Sequence, residues 1–307
     1  MRSAAPLPLS AILLICLSVL CFSGVDTIVK VLSQQYPVAL LVWARWTVQM
    51  LVLLAWWGPR MGKGLLRTSL PGRQILRCLV LLCSTVCFFT ALKYLPLAEA
   101  TAINYSSPVI VLLMAAFFLH ERLTRVRIAF VLAGVAGMLL IVRPGTALFQ
   151  GGALLALAAA GFYSTFQVLT RKLVYEDVRV NLFYPALVCS LVMTLTMPWL
   201  LDRNTVSIPW PHIVQIVIAG ILGTLGHLFF LLAFQRAPIS ALTPYTYLQL
   251  VFATLIGWVA FGDFPDAWTL AGMAVIAGTG LLIALHERRR GQAAAARASA
   301  EPPPAVD

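Results

Sequence analysis

Charge is scarce in this chain, and acidic charge scarcer still. Charged residues make up 11% of the 307, against roughly 25% in an ordinary soluble domain. Only 11 residues are Asp or Glu, facing 22 Lys or Arg. With 61% hydrophobic residues, so few polar groups cannot cover a water-soluble globule, and that class is excluded. Histidine is rarer, at four residues. The six cysteines, Cys16, Cys21, Cys78, Cys83, Cys87 and Cys189, lack paired spacing and stand near no His or acidic cluster. They read as free, buried and hydrophobic, leaving neither a disulfide framework nor a metal site. A Gly-x-x-x-x-Gly-Lys-Ser/Thr run is missing, so no phosphate-cradling loop would power an ATPase. Catalytic residue types are scattered rather than gathered at one membrane face, so neither a catalytic site nor a cofactor is expected.

What the chain has is apolar runs. Ten are long enough to cross a bilayer, since a span needs ~20 mostly apolar residues. They cover 9–30, 37–57, 75–95, 98–119, 127–143, 151–171, 180–200, 212–235, 239–260 and 267–286. Short turns punctuate them, such as Gly58-Pro59, Pro71-Gly72, Arg143-Pro144-Gly145 and Pro209-Trp210-Pro211. The expected fold is an all-α integral membrane protein of ten transmembrane helices. Arg2 and the following apolar run resemble a signal peptide, but the run is too long and a small-residue cleavage site is missing; an uncleaved first helix is expected.

The net charge of +11 invites a nucleic-acid reading, which the placement of the charges opposes. With the N-terminus in the cytoplasm, that side collects Arg2, Arg60, Lys63, Arg67, Arg73, Arg122, Arg125, Arg127, Arg171, Lys172, Arg179, Arg236 and Arg288–Arg290. The other side keeps only Lys30, Lys93, Arg143 and Arg203. This is positive-inside asymmetry, so the lipid bilayer is the partner of this charge and nucleic acid is not. Both termini are expected in the cytoplasm and the protein in the cytoplasmic (inner) membrane. Trp56, Trp57, Trp199 and Trp210 suit interface belts, and Arg77 a snorkelling anchor. The alanine- and proline-rich tail from Gly291 reads as disordered.

The chain also repeats itself. Residues 91–121 and 233–263 align at constant offset: Pro96 on Pro238, Thr101 on Thr243, Asn104 on Thr246, Tyr105 on Tyr247 and Glu121 on Asp263. Five spans per half is an odd number, so the copies must enter the membrane from opposite sides. The domains expected are a cytoplasmic N-terminus (1–8), a first repeat (9–143), a second, inverted repeat (151–286) and a basic stop with tail (287–307). Inverted repeats around a central site are a recurring plan for secondary transporters.

Leu95-Pro96, Pro108, Glu121-Arg122 and the glycines of span 5 (Gly134, Gly137) resemble an EamA domain. Two such units resemble the ten-helix drug/metabolite transporter superfamily. The second copy departs from the pattern, with Leu250 at the position of Pro108 and Asp263 at that of Glu121. The resemblance implies secondary transport of small metabolites without ATP, with export common among its members.

Polar residues inside the spans supply candidate sites, because a charge at bilayer centre costs ~2.5–3.5 kcal/mol even on mild scales. Asp26, Lys30, Arg45 and Glu99 all fall in one half of the membrane, where a network among them is feasible; Lys30, one turn from Asp26, can compensate it or snorkel. Thr101, Asn104, Tyr105 and Pro108 share a face of span 4, and Thr243, Thr246 and Tyr247 the matching face of span 9. These faces would meet near the pseudo-twofold axis, as a substrate site or as interhelical packing. Span 6 adds Phe162, Tyr163, Ser164 and Gln167, span 7 Asn181 and Tyr184; amide and hydroxyl groups on aromatic edges suit a small polar or zwitterionic molecule. Asp26, Glu99 and His227 are candidates to carry a coupling proton, His227 alternatively being a packed neutral residue. Gly220, Gly223 and Gly226 in span 8, with Ala133 and Gly137 in span 5, mark close helix packing.

The expected function is a secondary transporter, monomer or homodimer, exporting amino-acid-like or other small polar metabolites. Uptake of a vitamin or nucleotide-like metabolite, or export of an amino-acid-derived metallophore, are alternatives of the same class. A membrane-embedded enzyme or a multipass receptor are those of another.

Overall fold

A computed structural model of the protein describes residues 8–118, 125–143, 151–171, 173, 176–200, 208–237 and 239–300. Arg2, His120, Glu121, Arg122, Pro144, Gly145, Lys172 and Arg203 lie outside the described residues, as does the side chain of Thr243.

The described chain is helical. Nine of its segments are long and apolar enough to cross a membrane, and Ile128–Val142 is a shorter tenth. The helices are α1 (Leu9–Leu32), α2 (Val38–Met61), α3 (Pro71–Tyr94), α4 (Leu97–Asn104), α5 (Ser107–Phe118) and α6 (Arg125–Val142). The second half holds α7 (Gly151–Arg171), α8 (Val178–Leu200), α9 (Trp210–Arg236), α10 (Ile239–Thr246), α11 (Leu248–Phe261) and α12 (Ala267–Ala300). Proline marks the starts: Pro8, Pro37, Pro96 and Pro209 precede α1, α2, α4 and α9. A missing N–H and a fixed φ cost nothing there, since the first turn has no intrahelical acceptor anyway.

Spans 4 and 9, expected as continuous helices, are each broken. The first break lies at Tyr105-Ser106 and the second at Tyr247. Pro108 accounts for the first, because it cannot donate to the carbonyl one turn back. No proline occupies the matching place in the second, where Leu250 bonds the nearer Tyr247 carbonyl at 3.0 Å. The tail expected as disordered is helical as far as Ala300, where α12 ends. Alanine and arginine there sustain the helix, and the first proline comes only at Pro302.

Packing follows the inverted duplication. α1 lies on α9 and α3 on α7; α2 packs on α8, α6 on α12, and α4 on α11. Each pairing joins one repeat to the other, so the core is shared between halves. Ser18 donates to the Gly226 carbonyl at 2.8 Å, and Ser84 to that of Ala159 at 2.9 Å. The expected glycine contacts form: Val48 fills the space over Gly220, and Phe22 that over Gly226. Trp56, Trp199 and Trp210 stand exposed near helix ends, as an interface belt requires.

Backbone meets backbone where Gly137 of α6 crosses Gly272 of α12. A Cβ on Gly272 would sit 2.6 Å from the Gly137 carbonyl oxygen, which is backbone and cannot swing aside. Gly272→Ala should therefore destabilise the protein by about 1–3 kcal/mol through overpacking. Gly278→Ala on the same helix, where a Cβ meets nothing within 4 Å, should be neutral. Thermal unfolding of the detergent-solubilised variants checks this pair.

Candidate functional site

The two broken helices meet at their breaks. The rings of Tyr105 and Tyr247 lie 5.2 Å apart, tilted by 54°. The Tyr105 hydroxyl reaches the Thr246 carbonyl at 2.8 Å and Gln249 Oε1 at 3.0 Å, sharing one hydrogen between two acceptors. Gln249 Nε2 in turn donates to Asp26 Oδ2 at 3.2 Å. A helix break leaves backbone carbonyls without intrahelical donors, and in an apolar interior each must find one. Tyr105, at the first break, thus satisfies a carbonyl of the second. Ser164 of α7 does the same for the Ser107 carbonyl at 3.0 Å. Tyr163 and Asp26 lie within electrostatic reach of the Tyr105 phenol, and Tyr163 stacks on Phe166 with centroids 5.8 Å apart. Tyr105, Tyr247, Tyr163, Thr246 and Asp26 are therefore brought together across a sequence distance of more than two hundred residues.

Other sequence candidates fall elsewhere. Thr101 is buried and bonds the Leu97 carbonyl of its own helix at 2.8 Å, which is a packing role. The Asn104 Oδ1 is buried and has no hydrogen-bond partner among the described residues. Gln167 is half-buried on α7 and makes no hydrogen bond among the described residues. Phe162 is only part-covered, at 38% exposed. Asn181 and Tyr184 belong to a structural clamp: Gln74 donates to Asn181 Oδ1 at 2.9 Å, and Tyr184 donates to the Leu66 carbonyl at 2.9 Å. Arg77 is no snorkelling anchor. It is buried and donates to the Asn181 carbonyl at 2.9 Å, tying α3 to α8.

The single network of four charges does not form; it splits in two. Lys30 turns from Asp26 to the end of α3, donating to the Leu95 carbonyl at 2.7 Å and lying over the Phe261 ring at 5.3 Å. Glu99 is buried within electrostatic reach of Asp266, Arg143, Asp263 and Lys30. These residues make a cluster where α1, α6 and α11 end. Asp263 and Asp266 have the Asp-x-x-Asp spacing that the scattered-residue reading passes over, but Asp266 is taken. The hydrogen bond from Arg143, and then that from the Thr269 backbone, hold its carboxyl well below the usual carboxylate range. A cavity of about 530 Å³ opens beside the cluster, lined by Lys30, Gln34, Gln35, Phe261 and Asp263 among others. At the opposite end one of about 470 Å³ is lined by Trp57, Glu176, Arg179, Leu231 and Gln235 among others. There the hydrogen bond from the Ser69 hydroxyl, aided by the Ser69 backbone, lowers the Glu176 pKa. Neither cavity includes the tyrosine pair.

Asp26 and Arg45 form the deeper group. Asp26 lies about 9 Å from the end of α1, counting 1.5 Å per residue. Arg45 influences it electrostatically, yet no ion pair or hydrogen bond joins the two. The guanidinium lies 4.5 Å from the Trp46 ring and 5.7 Å from that of Phe89, against Gly223 of α9. Among the described residues its Nε has no hydrogen-bond partner, and neither do Trp46 Nε1 or the two amide atoms of Gln49. Leaving a polar atom buried and unpaired costs ~1–3 kcal/mol, so such a group asks for an explanation. His227 borders these residues, its ring edge-on to Phe22 at 4.9 Å and tilted to Trp46 at 6.2 Å. Its Nδ1 lies 2.8 Å from the Gly223 carbonyl, which can only accept, so Nδ1 carries the hydrogen. Sequence reasoning missed Gln249, Gln49 and Trp46. Two of them are amides inside apolar spans, one turn from Arg45 or two residues beyond Tyr247, and that was their signal.

No group of three His, Cys, Asp or Glu side chains that could hold an ion occurs among the described residues.

The same architecture is found elsewhere. A crystal structure superposes on 91% of this chain and 98% of its own with a TM-score of 0.63, at 24% identity. An S-adenosylmethionine uptake transporter of Rickettsia conorii is 30% identical over 234 residues, 74% of this chain and 76% of its own. A pseudopaline exporter of Pseudomonas aeruginosa is 28% identical over 276 residues, covering 87% of this chain and 93% of the relative. A riboflavin transporter of Brucella anthropi is 27% identical over 258 residues, 81% and 85% of the two chains. The model of the EamA-like transporter family matches twice, at 9–143 and 150–285. Each match takes in one five-span repeat, and the two helix breaks fall one in each. This chain is a multi-pass metabolite transporter and belongs to the EamA-like transporter family.

Proposed function

We propose that the protein is a secondary transporter that exports an amino-acid-like metabolite across the cytoplasmic membrane by alternating access. The observation that carries this reading is the junction of the two breaks. The Tyr105 hydroxyl on the Thr246 carbonyl, with Gln249 passing the contact on to Asp26, ties one repeat to the other deep within the helix bundle. Two inverted halves joined through hydrogen bonds at their discontinuities can exchange conformations, opening the site first to one side and then to the other. A carboxylate at Asp26, a guanidinium at Arg45 and an aromatic wall of Tyr105, Tyr163 and Tyr247 suit a small molecule bearing both charges. ATP has no place in the scheme.

A different cargo is favoured by the aromatic surfaces. Tyr163 and Phe166 stack, and they offer a flat ring a flat partner. Relatives named for S-adenosylmethionine uptake and riboflavin transport fit uptake of a ring-bearing metabolite. Metabolite profiling of cells and medium, deletion against overexpression, separates the two. Export predicts that the substrate is depleted from the medium on deletion and enriched there on overexpression; uptake predicts the reverse.

Orientation follows from charge. Arg60 lies in the last turn of α2, Lys63 and Arg67 stand between α2 and α3, Arg73 lies in the first turn of α3, and Arg125 opens α6. Reporter fusions after Gly62, Arg125 and Arg290 should report cytoplasm, and fusions near Gln35, Thr146 and Asn204 the opposite side. A reversed pattern at those sites overturns the proposed orientation.

A further inference from the structure

We infer that Arg45, Trp46 and Gln49 form the subsite that takes the carboxylate of the transported metabolite. This rests on the transport reading above and sharpens it to a particular chemical group.

At 100° per residue, positions 45, 46 and 49 span an arc of about 100° on one face of α2. All three side chains are more than nine-tenths buried, with Arg45 6% exposed and Trp46 and Gln49 1% each. Unpaired polar atoms are normally excluded from such surroundings, yet four of them collect within about one turn. Sorted by chemistry, Arg45 Nε, Trp46 Nε1 and Gln49 Nε2 are donors, and only Gln49 Oε1 is an acceptor. A positive charge with three free N–H directions and one acceptor matches an anionic oxygen pair better than a cation or a neutral hydroxyl. The fork of a guanidinium suits a carboxylate in particular.

The guanidinium is held by surfaces rather than by partners. Trp46 and Phe89 lie beside it, and Gly223 supplies the space on α9. A Cβ at Gly223 would sit 3.2 Å from Arg45 Nε and press directly on it. No hydrogen bond or ion pair neutralises Arg45 among the described residues, although Asp26 lies near enough to act on it electrostatically. Asp26 is instead engaged by Gln249. The carboxylate and the guanidinium are thus kept apart, one on the α11 side and one against α9. Such a separated pair is what the two ends of a zwitterion require: its carboxylate at Arg45 and its ammonium toward Asp26.

The rival explanation makes Arg45 merely the distant counter-charge of Asp26. A double-variant cycle distinguishes the two. The wild-type protein in nanodiscs is equilibrated with a mixture of the twenty L-amino acids and S-adenosylmethionine, together with the carboxamide of each. Retained compounds are quantified by mass spectrometry. The readout is the ratio of acid to matching amide, which an effect on folding alone does not move. In the wild type at least one acid should be retained about tenfold or more over its amide, the scale of one charge-assisted hydrogen bond. In Arg45→Gln the ratio should fall to about one, and it should stay there in Arg45→Gln/Asp26→Asn. Gln49→Leu, which leaves every charge in place, should lower the ratio less than Arg45→Gln does. Recovery of the wild-type ratio in the double variant overturns the inference in favour of the counter-charge. Amides retained as well as acids by the wild type overturn it too and leave the transporter reading standing. Retention of neither set overturns both this inference and the amino-acid-like substrate.

Discussion

Asp26→Asn should abolish flux driven by a pH gradient in proteoliposomes, while exchange of substrate between compartments equally filled to saturation continues. Of the three coupling candidates, Asp26 alone touches the junction of the two breaks, through the 3.2 Å bond from Gln249 Nε2. A coupling group must change charge during the cycle, and its charge must matter to the elements that move. At Asp26 both hold: losing the negative charge weakens the acceptor that Gln249 faces, and Gln249 is the second acceptor of Tyr105. Glu99 sits instead in the cluster with Arg143, Asp263, Asp266 and Lys30, away from the tyrosines. His227 bonds a carbonyl of its own helix through Nδ1. The expected loss in Asp26→Asn is total for gradient-driven flux, since no second carboxylate contacts the junction. Glu99→Gln and His227→Asn should retain it. If wild-type liposomes transport alike with and without a pH gradient, proton coupling fails for all three residues and they revert to structural roles.

The second large effect belongs to the tyrosine pair. Tyr105→Ala and Tyr247→Ala should each cut transport about tenfold or more while the protein inserts at normal levels, removing a ring and, at Tyr105, a donor to a buried carbonyl worth ~1–3 kcal/mol. Phenylalanine separates ring from hydroxyl. Tyr105→Phe should lose most of the activity, because the Thr246 carbonyl and Gln249 Oε1 both forfeit their donor. Tyr247→Phe should be near wild type, since the Tyr247 hydroxyl is buried against Gly280 without a hydrogen-bond partner among the described residues. Initial rates of substrate flux, normalised to protein in the membrane, decide the outcome. Normal transport in both alanine variants would reduce the junction to packing and move the site elsewhere.

The asymmetry between these tyrosines shows where sequence reading stops. Aligned repeats paired Tyr105 with Tyr247, and the two rings do lie against each other. Equivalent positions nevertheless carry unequal bonds, because one hydroxyl reaches across to the other repeat and its counterpart faces a glycine of α12. The break in span 4 could be suspected from Pro108. That in span 9 could not, with Leu250 in the matching place.

Composition by itself determined the membrane class, and the order of residues determined the apolar segments and the inverted duplication. Those properties are sums over local stretches: partition into lipid depends on the residues of one span, and repeat parity on counting them. Tertiary structure decided which polar groups are partners. Lys30 stands one turn from Asp26 yet caps α3, Arg77 binds the Asn181 carbonyl, and Asp26 is bound by a glutamine 223 residues away. In an interior without water each donor takes the acceptor that packing brings to it, and packing here joins helices from opposite halves of the chain.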